Sequence, residues 1–497
     1  MPNFPEVPSI GPEAVPDDLA RQFIGGAWRT GSGNWDVIDF NPWTGDKLAA
    51  ITVATAEEVD AAYRAAETAQ RAWAASAPGT RRRVIERLLD LIDEREPFIA
   101  SLITAELGGT RTRITYELGL IREALREALH LPLRAEGRIL PSPVEGKENY
   151  LTRLPVGTVC VISPYTFPLF LGLKTVVPAL ALGNAVVLKP HQSSPICGGT
   201  LLARLLADAG LPEGLFNVLV TDIAEVGDVL IEHPVPRVIC FTGSEVTGRH
   251  VASVAGGHFK RVVLELGGNS ALIVLDDADP GYAADAAVFS RFMDQGQMCM
   301  AANRVLVDRA VLPEFTEHFL ARVSALRVGD PADPATEIGP LMDARYADHL
   351  WGQIGRAVDG GAKILHGGER RGNLVPPTVL TDVPAESPLH REEIFGPVVL
   401  LTAVDGEDEA VALANDSAYG LSGAVHTRDI QRGLRVARRI ETGIVHVNDA
   451  TVADEPIVPY GGMKCSGLGR LNGDALLDAF TDTKWISVQH GRTAFPL

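Results

Sequence analysis

A few short strings in this chain carry residues whose types and spacing suit chemistry. QGQMCMAAN (295–303) sets Cys299 between two methionines and close to two glutamines. Such a thiol is a nucleophile if something lowers its pKa, and otherwise a small buried hydrophobe. LELGGNS (264–270) ends an apolar run on Glu265, followed by two glycines. Burial there would raise the carboxyl toward the range of a general base. A glutamate paired with an arginine or with backbone amides is the other reading. FTGSEVTGRH (241–250) runs from a strand into Gly243-Ser244, with Gly248 five residues after Gly243. That turn suits a phosphate at a helix N-terminus, or it is a plain tight turn. EEIFGPV (392–398) puts carboxylates beside Phe395, a pairing able to hold sugar hydroxyls and shelter a flat ring. VPYGGMKCSGLGR (458–470) has four glycines and must be a loop with close backbone approaches. ISPYTFPLF (162–170) holds Thr166 between two prolines, as a turn residue or as a residue facing the same chemistry. GLGRLNG (467–473) lacks both the spacing and the preceding strand of a dinucleotide fingerprint.

The elements that must position these strings are legible as a rhythm. Residues 56–76 and 80–107 predict amphipathic helices. Apolar, β-branched runs follow at 156–162, 184–189, 216–220, 237–241 and 261–266, most of them separated by helix-length stretches. A second series occupies 271–275, 304–308, 397–404 and 443–448. Near-continuous apolar strands alternating with helices indicate α/β architecture, with two parallel sheets in tandem that meet near residues 265–270. Residues 137–155 and the C-terminal FTDTKWISVQHGRT fit neither series. They read either as edge strands reaching for a partner subunit or as surface hairpins.

At 497 residues the chain is too long for a single core. The net charge of −18, with no long basic run, argues against nucleic acid and anionic membranes as partners. No apolar run is long enough to span a bilayer: the stretch 169–188 is broken by Lys174, Pro178 and Gly183-Asn184. The N-terminal MPNFPEVPSIGPEAVPDD lacks the features of a signal peptide and is expected to be a loose arm. Five scattered cysteines without a CxxC pair fit a reducing cytoplasm and predict neither a disulfide framework nor a metal site.

Taken together and in order, GSxxxG, LELGG, GQxC, EEIFGPV and PxGGxKxSGxGR resemble the aldehyde dehydrogenase superfamily, and the likeness runs from FIGGAW (23–28) to the last strand. The 34 positions from Glu265 to Cys299 are also that family's interval between base and nucleophile. The resemblance implies two Rossmann-like domains and a β arm for oligomerisation. It assigns 1–136 and 156–264 to cofactor binding, 265–470 to catalysis, and 137–155 with 480–497 to the arm of a homodimer or homotetramer. It implies NAD(P)-dependent oxidation of an aldehyde to the acid through a thiohemiacetal and a thioester on Cys299, with Glu265 activating water. Cofactor contacts are expected at Ile162, Lys189, Gln192, Gly243, Ser244, Gly248, Leu266, Glu393 and Phe395. VNDATVADEP (447–456) running into VPYGG is similar to bacterial benzaldehyde, vanillin and salicylaldehyde dehydrogenases. An aromatic aldehyde is therefore the expected substrate, in a pocket of Tyr165, Phe167, Met298, Met300 and Tyr460.

Two positions depart from the family pattern. Gln192 stands where a glutamate often accepts hydrogen bonds from the adenosine ribose, which leaves both NAD and NADP open. Thr166 stands where an asparagine normally donates to the developing oxyanion; a hydroxyl also donates, and partial substitution is expected. Other readings are a CoA-acylating dehydrogenase, which generally lacks the base, a binding or structural homologue impaired at Thr166, and a cofactor-independent esterase activity of the Cys/Glu pair.

Overall fold

The computed structural model of the chain describes residues 15–495, so residues 1–14 of the proline-rich arm lie outside it. Of that string, Asp17–Ala20 forms a single 3-10 turn. The first predicted helix is Ala56–Ala74, started by a capping box in which Thr55 and Glu58 satisfy each other's backbone amides. The second prediction is corrected. Residues 80–107 do not form one helix but two, Pro78–Glu94 and Glu96–Leu107, because Pro97 has no amide to donate and is tolerated only in a first turn.

The first sheet has eight strands. Its parallel centre runs Phe216–Val218, Ala185–Lys189, Thr158–Ile162, Pro236–Thr242, Arg261–Glu265. Nearly every residue of these strands is buried, which is why they read as unbroken apolar runs. Strand order reverses between Thr158–Ile162 and Pro236–Thr242, which lie side by side with Ile162 opposite Phe241. A ligand crevice is expected at the carboxyl ends of strands at such a reversal. The antiparallel strands Gln22–Ile24 and Ala27–Arg29 extend one edge. On the other edge Gly467–Leu468 pairs with Leu264 and Glu265, so the glycine-rich loop after Tyr460 returns to the first sheet.

The second sheet has seven strands, ordered Lys363–His366, Thr378–Thr381, Val398–Val404, Ala302–Asp308, Ser270–Val274, Gly423–His426, His446–Val447. All its pairings are parallel except the first. Gly423–His426 and Thr378–Thr381 carry too few apolar residues to stand out in the sequence, yet the first is wholly buried and sits inside the sheet. The third sheet places Lys147–Pro155 between Arg138–Leu140 and Thr481–Gln489, all antiparallel. Trp485, Ile486 and Val488 of its long strand are exposed. No helix among the described residues is long and apolar enough to cross a membrane.

Candidate active site

The site forms where loops from both sheets meet. Glu265 is the last residue of its strand, and after Leu266 the chain passes as Gly267 and Gly268 between two other loops. A methyl group on Gly268 would lie 2.2 Å from the Cys299 carbonyl oxygen, and one on Gly267 would lie 2.5 Å from Glu393 Oε2. Only glycine lets three chain segments approach this closely. The Gly268 amide donates to Glu393 Oε1 at 2.9 Å. The LELGG string thus brings Glu265, Cys299 and Glu393 together.

The Cys299 loop is held in an uncommon backbone shape. Asp294, Gln295 and Gly296 all have left-handed φ, at 50°, 55° and 68°. For Asp294 and Gln295 this costs free energy unless neighbours enforce it. Two buried arginines do so. Arg291 donates to the carbonyls of Gly296 (2.8 Å) and Ile394 (3.0 Å), tying the Cys299 loop to the Glu393 loop. Arg113 pairs with Asp294 at 3.3 Å and Glu117 at 3.2 Å, and its guanidinium lies 5.0 Å above the Phe167 ring. Phe167 is itself left-handed at φ 41° and opens the buried helix Pro168–Ala181.

The electrostatics suit a base and keep the neighbouring thiol protonated. Glu265 is 8% exposed, and among the described residues neither carboxyl oxygen has a hydrogen-bond partner. Burial pushes its pKa up to about 8, against the opposing pull of Lys174 and Arg470. Burial also pushes the Cys299 thiol up to about 12; the Tyr460 hydroxyl and Lys174 act to lower it, and Glu393 and Glu265 to raise it. Glu393 rises to about 7 through burial, opposed by the Gly268 amide and Arg291. Lys174, the charge that interrupts the apolar stretch 169–188, forms a buried ion pair with Asp454.

Several positions expected to contact a cofactor lie at the strand ends around the reversal of strand order. Ile162 ends its strand, and Gly243 and exposed Ser244 form the turn into helix Glu245–Gly257, whose N-cap is Ser244. Gly248 allows that helix to pack on Leu266: a methyl there would meet Leu266 Cδ2 at 2.5 Å. Lys189 is half-buried, and Gln192 donates to Asp222, which also acts electrostatically on Lys189. The N-terminus of that helix, where Ser244 Oγ accepts from the Thr247 amide at 3.3 Å, a lysine and the half-buried Glu393 carboxylate suit a dinucleotide's phosphates and ribose hydroxyls.

Of the residues expected to line a substrate pocket, Phe167, Met298, Met300 and Tyr460 are buried in one apolar cluster, and Tyr165 packs against it together with Cys299. The Tyr165 ring also meets Tyr346 (4.7 Å) and His191 (5.1 Å) at a tilt and Phe395 (5.9 Å) edge-on. Phe167 is buried between Arg113 and Tyr116. Thr166 Oγ1 donates to the Gln297 carbonyl at 2.6 Å, so its single hydroxyl proton is already engaged. Sequence reasoning missed Arg113, Arg291 and Asp454 as supports; the one available signal was Lys174, a charge inside an apolar helix.

A family model for the aldehyde dehydrogenase family matches residues 28–486. A benzaldehyde dehydrogenase of Bacillus subtilis (strain 168) is 52% identical over 97% of this chain and 99% of its own. The chain belongs to the aldehyde dehydrogenase family. Among solved structures, the salicylaldehyde dehydrogenase of Pseudomonas putida G7, complexed with salicylaldehyde, superposes with a TM-score of 0.93 at 35% identity, covering 96% of this chain and 99% of that one. An NAD-dependent benzaldehyde dehydrogenase of Corynebacterium glutamicum gives 0.88 at 39% identity, covering 97% and 98%. The α/β fold predicted from the strand rhythm is thus the aldehyde dehydrogenase fold, and the protein is an NAD(P)-dependent aldehyde dehydrogenase.

Proposed function

We propose that this aldehyde dehydrogenase oxidises an aromatic aldehyde to the carboxylic acid, with Cys299 as nucleophile and Glu265 as base. The observation that carries this reading is the buried, unpartnered Glu265 carboxyl, held by LELGG beside the Cys299 loop. The Cys299 thiolate attacks the aldehyde carbon, and its sulfur–carbon bond leaves an oxyanion on the former carbonyl oxygen. Once bound, the nicotinamide cofactor supplies the hydride acceptor that turns this thiohemiacetal into a thioester. Glu265 takes a proton from water, the hydroxide attacks the thioester carbon, and the Cys299–carbon bond breaks to release the acid.

Glu393 holds the nicotinamide ribose hydroxyls with Phe395 beside it, Gly243 and Ser244 take the pyrophosphate, and Lys189 takes the adenosine ribose. The Asp222 carboxylate beside Lys189 and Gln192 disfavours a 2′-phosphate, which supports NAD over NADP. Met298, Met300 and Tyr460 offer polarisable surface to a flat ring. Relatives acting on benzaldehyde, vanillin and salicylaldehyde support the same substrate class. The open sheet of Lys147–Pro155 and Thr481–Gln489 supports assembly into a homodimer or homotetramer, and five free cysteines support a cytoplasmic location.

The test is a panel of aromatic and aliphatic aldehydes, each with NAD, with NADP, and with or without CoA, following the reduced cofactor. The expected result is CoA-independent oxidation, fastest with benzaldehyde-type substrates and NAD. Strict CoA dependence would replace water with a thiol acceptor, and a uniform preference for aliphatic aldehydes would overturn the aromatic assignment.

A further inference from the structure

In the pocket Tyr460 serves as apolar surface, but its hydroxyl has a more specific neighbour. The side chain is 6% exposed, and among the described residues the hydroxyl's hydrogen-bond partner is Cys299 Sγ at 3.8 Å. A neutral thiol is a weak acceptor for a phenol, whereas a thiolate is a strong one. The ring is held in place. Tyr460 and Leu471 exchange backbone hydrogen bonds at 2.8 and 3.0 Å, and Lys174 Nζ sits 3.6 Å from the ring centroid. Lys174 is fixed by its ion pair with Asp454, whose other oxygen accepts from Asn472 at 2.7 Å. A cation on the face of a phenol ring draws electron density from it and makes the O–H a better donor.

The charged groups around Cys299 set the need for such a donor. Glu265 and Glu393 both oppose a negative sulfur, and Lys174 favours it. Thr166 is committed to the Gln297 carbonyl. We propose that Tyr460 is a catalytic residue whose hydroxyl donates to Cys299 Sγ and holds the thiolate, with Lys174 and Asp454 as its positioning residues. This rests on Cys299 being the nucleophile of the function proposed above.

The experiment measures alkylation of Cys299 by iodoacetamide from pH 7 to 10, read by peptide mass spectrometry, alongside kcat/KM for benzaldehyde. Tyr460→Phe is expected to slow alkylation at pH 8 by about tenfold or more, the worth of one hydrogen bond to a charged group, and to move the profile to higher pH. Incorporation of 3-fluorotyrosine at position 460, which strengthens the donor, is expected to move the profile the other way, and it decides alone if Tyr460→Phe does not fold. An unchanged profile, or a shift in the same direction for both variants, overturns the proposal as a packing effect. A Cys299→Ala variant separates the two readings. If it still oxidises aldehydes, the nucleophile assignment falls and this proposal with it. If it is inactive while the Tyr460 profile is unmoved, only this proposal falls.

Discussion

The change Glu265→Gln tests the base through both chemistry and stability. The carboxyl is 8% exposed, neither oxygen is hydrogen-bonded among the described residues, and burial raises its pKa to about 8 against an ordinary 4.5. That displacement corresponds to about 5 kcal/mol of disfavoured ionisation. Between pH 4.5 and about 8 the folded chain keeps a proton on Glu265 that the unfolded chain has released. Wild-type stability therefore falls as pH rises through that window, and the deficit is complete above it. An isosteric amide has no such deficit. Denaturant titrations at pH 5 and pH 9 should show the stability of Glu265→Gln relative to wild type growing by about 4 kcal/mol toward alkaline pH. In turnover, loss of a general base costs about 10²–10⁴-fold. Rapid-mixing assays should show an initial burst of about one reduced cofactor per Cys299, then a steady state slowed by that factor, with thioester on Cys299 visible by mass spectrometry. In the wild type the steady-state rate should rise with pH and level off above about 8, as the carboxyl ionises. A Glu265→Gln enzyme with unchanged steady-state turnover, or a stability difference that does not vary with pH, would refute the assignment.

Further outcomes concern the two positions that depart from the family pattern. Asp222→Asn removes the carboxylate beside Lys189 and Gln192, and is expected to lower the ratio of NAD to NADP activity by about tenfold, the scale of one charge interaction near a protein surface. A ratio that does not move would show that Asp222 does not face the 2′ position. Thr166→Asn supplies an amide with a donor to spare, and single-turnover hydride transfer is expected to rise by about tenfold or more, since an oxyanion donor is worth about 10²–10³. A rate that stays level or falls would mean that the oxyanion lacks nothing at this position.

Legibility in the sequence followed the range of the interaction that gives each feature its shape. Strands of the first sheet could be read because burial on both faces makes each an unbroken apolar run, as in Thr158–Ile162 and Ala185–Lys189. Gly423–His426 is equally buried, but with Gly and His at its ends it carries no such signature. Cys299, Glu265 and Glu393 stood out only through the ordered strings LELGG, GQxC and EEIFGPV, since each read alone had a plain structural alternative. The Lys174–Asp454 pair spans 280 positions, and a lysine looks the same in sequence whether it is paired in a core or reaching for water. Tyr165 was expected in the substrate pocket with Phe167. In the fold Phe167 lies against Arg113 and Tyr165 meets Phe395 edge-on, neighbours that no local pattern announces. Thr166 and Gln192 looked like losses because each was read against the residue a motif would place there. In the fold each meets a partner from elsewhere, the Gln297 carbonyl for one and the Asp222 carboxylate for the other. A motif position records where a functional group usually comes from, and a chain that draws the group from another segment departs from the motif without giving up the chemistry. Under the proposed function residue 222 is such a segment for Gln192; at Thr166 the hydroxyl is spent on the Cys299 loop. The second position is therefore where substitution should change the rate and the first where it should change the cofactor.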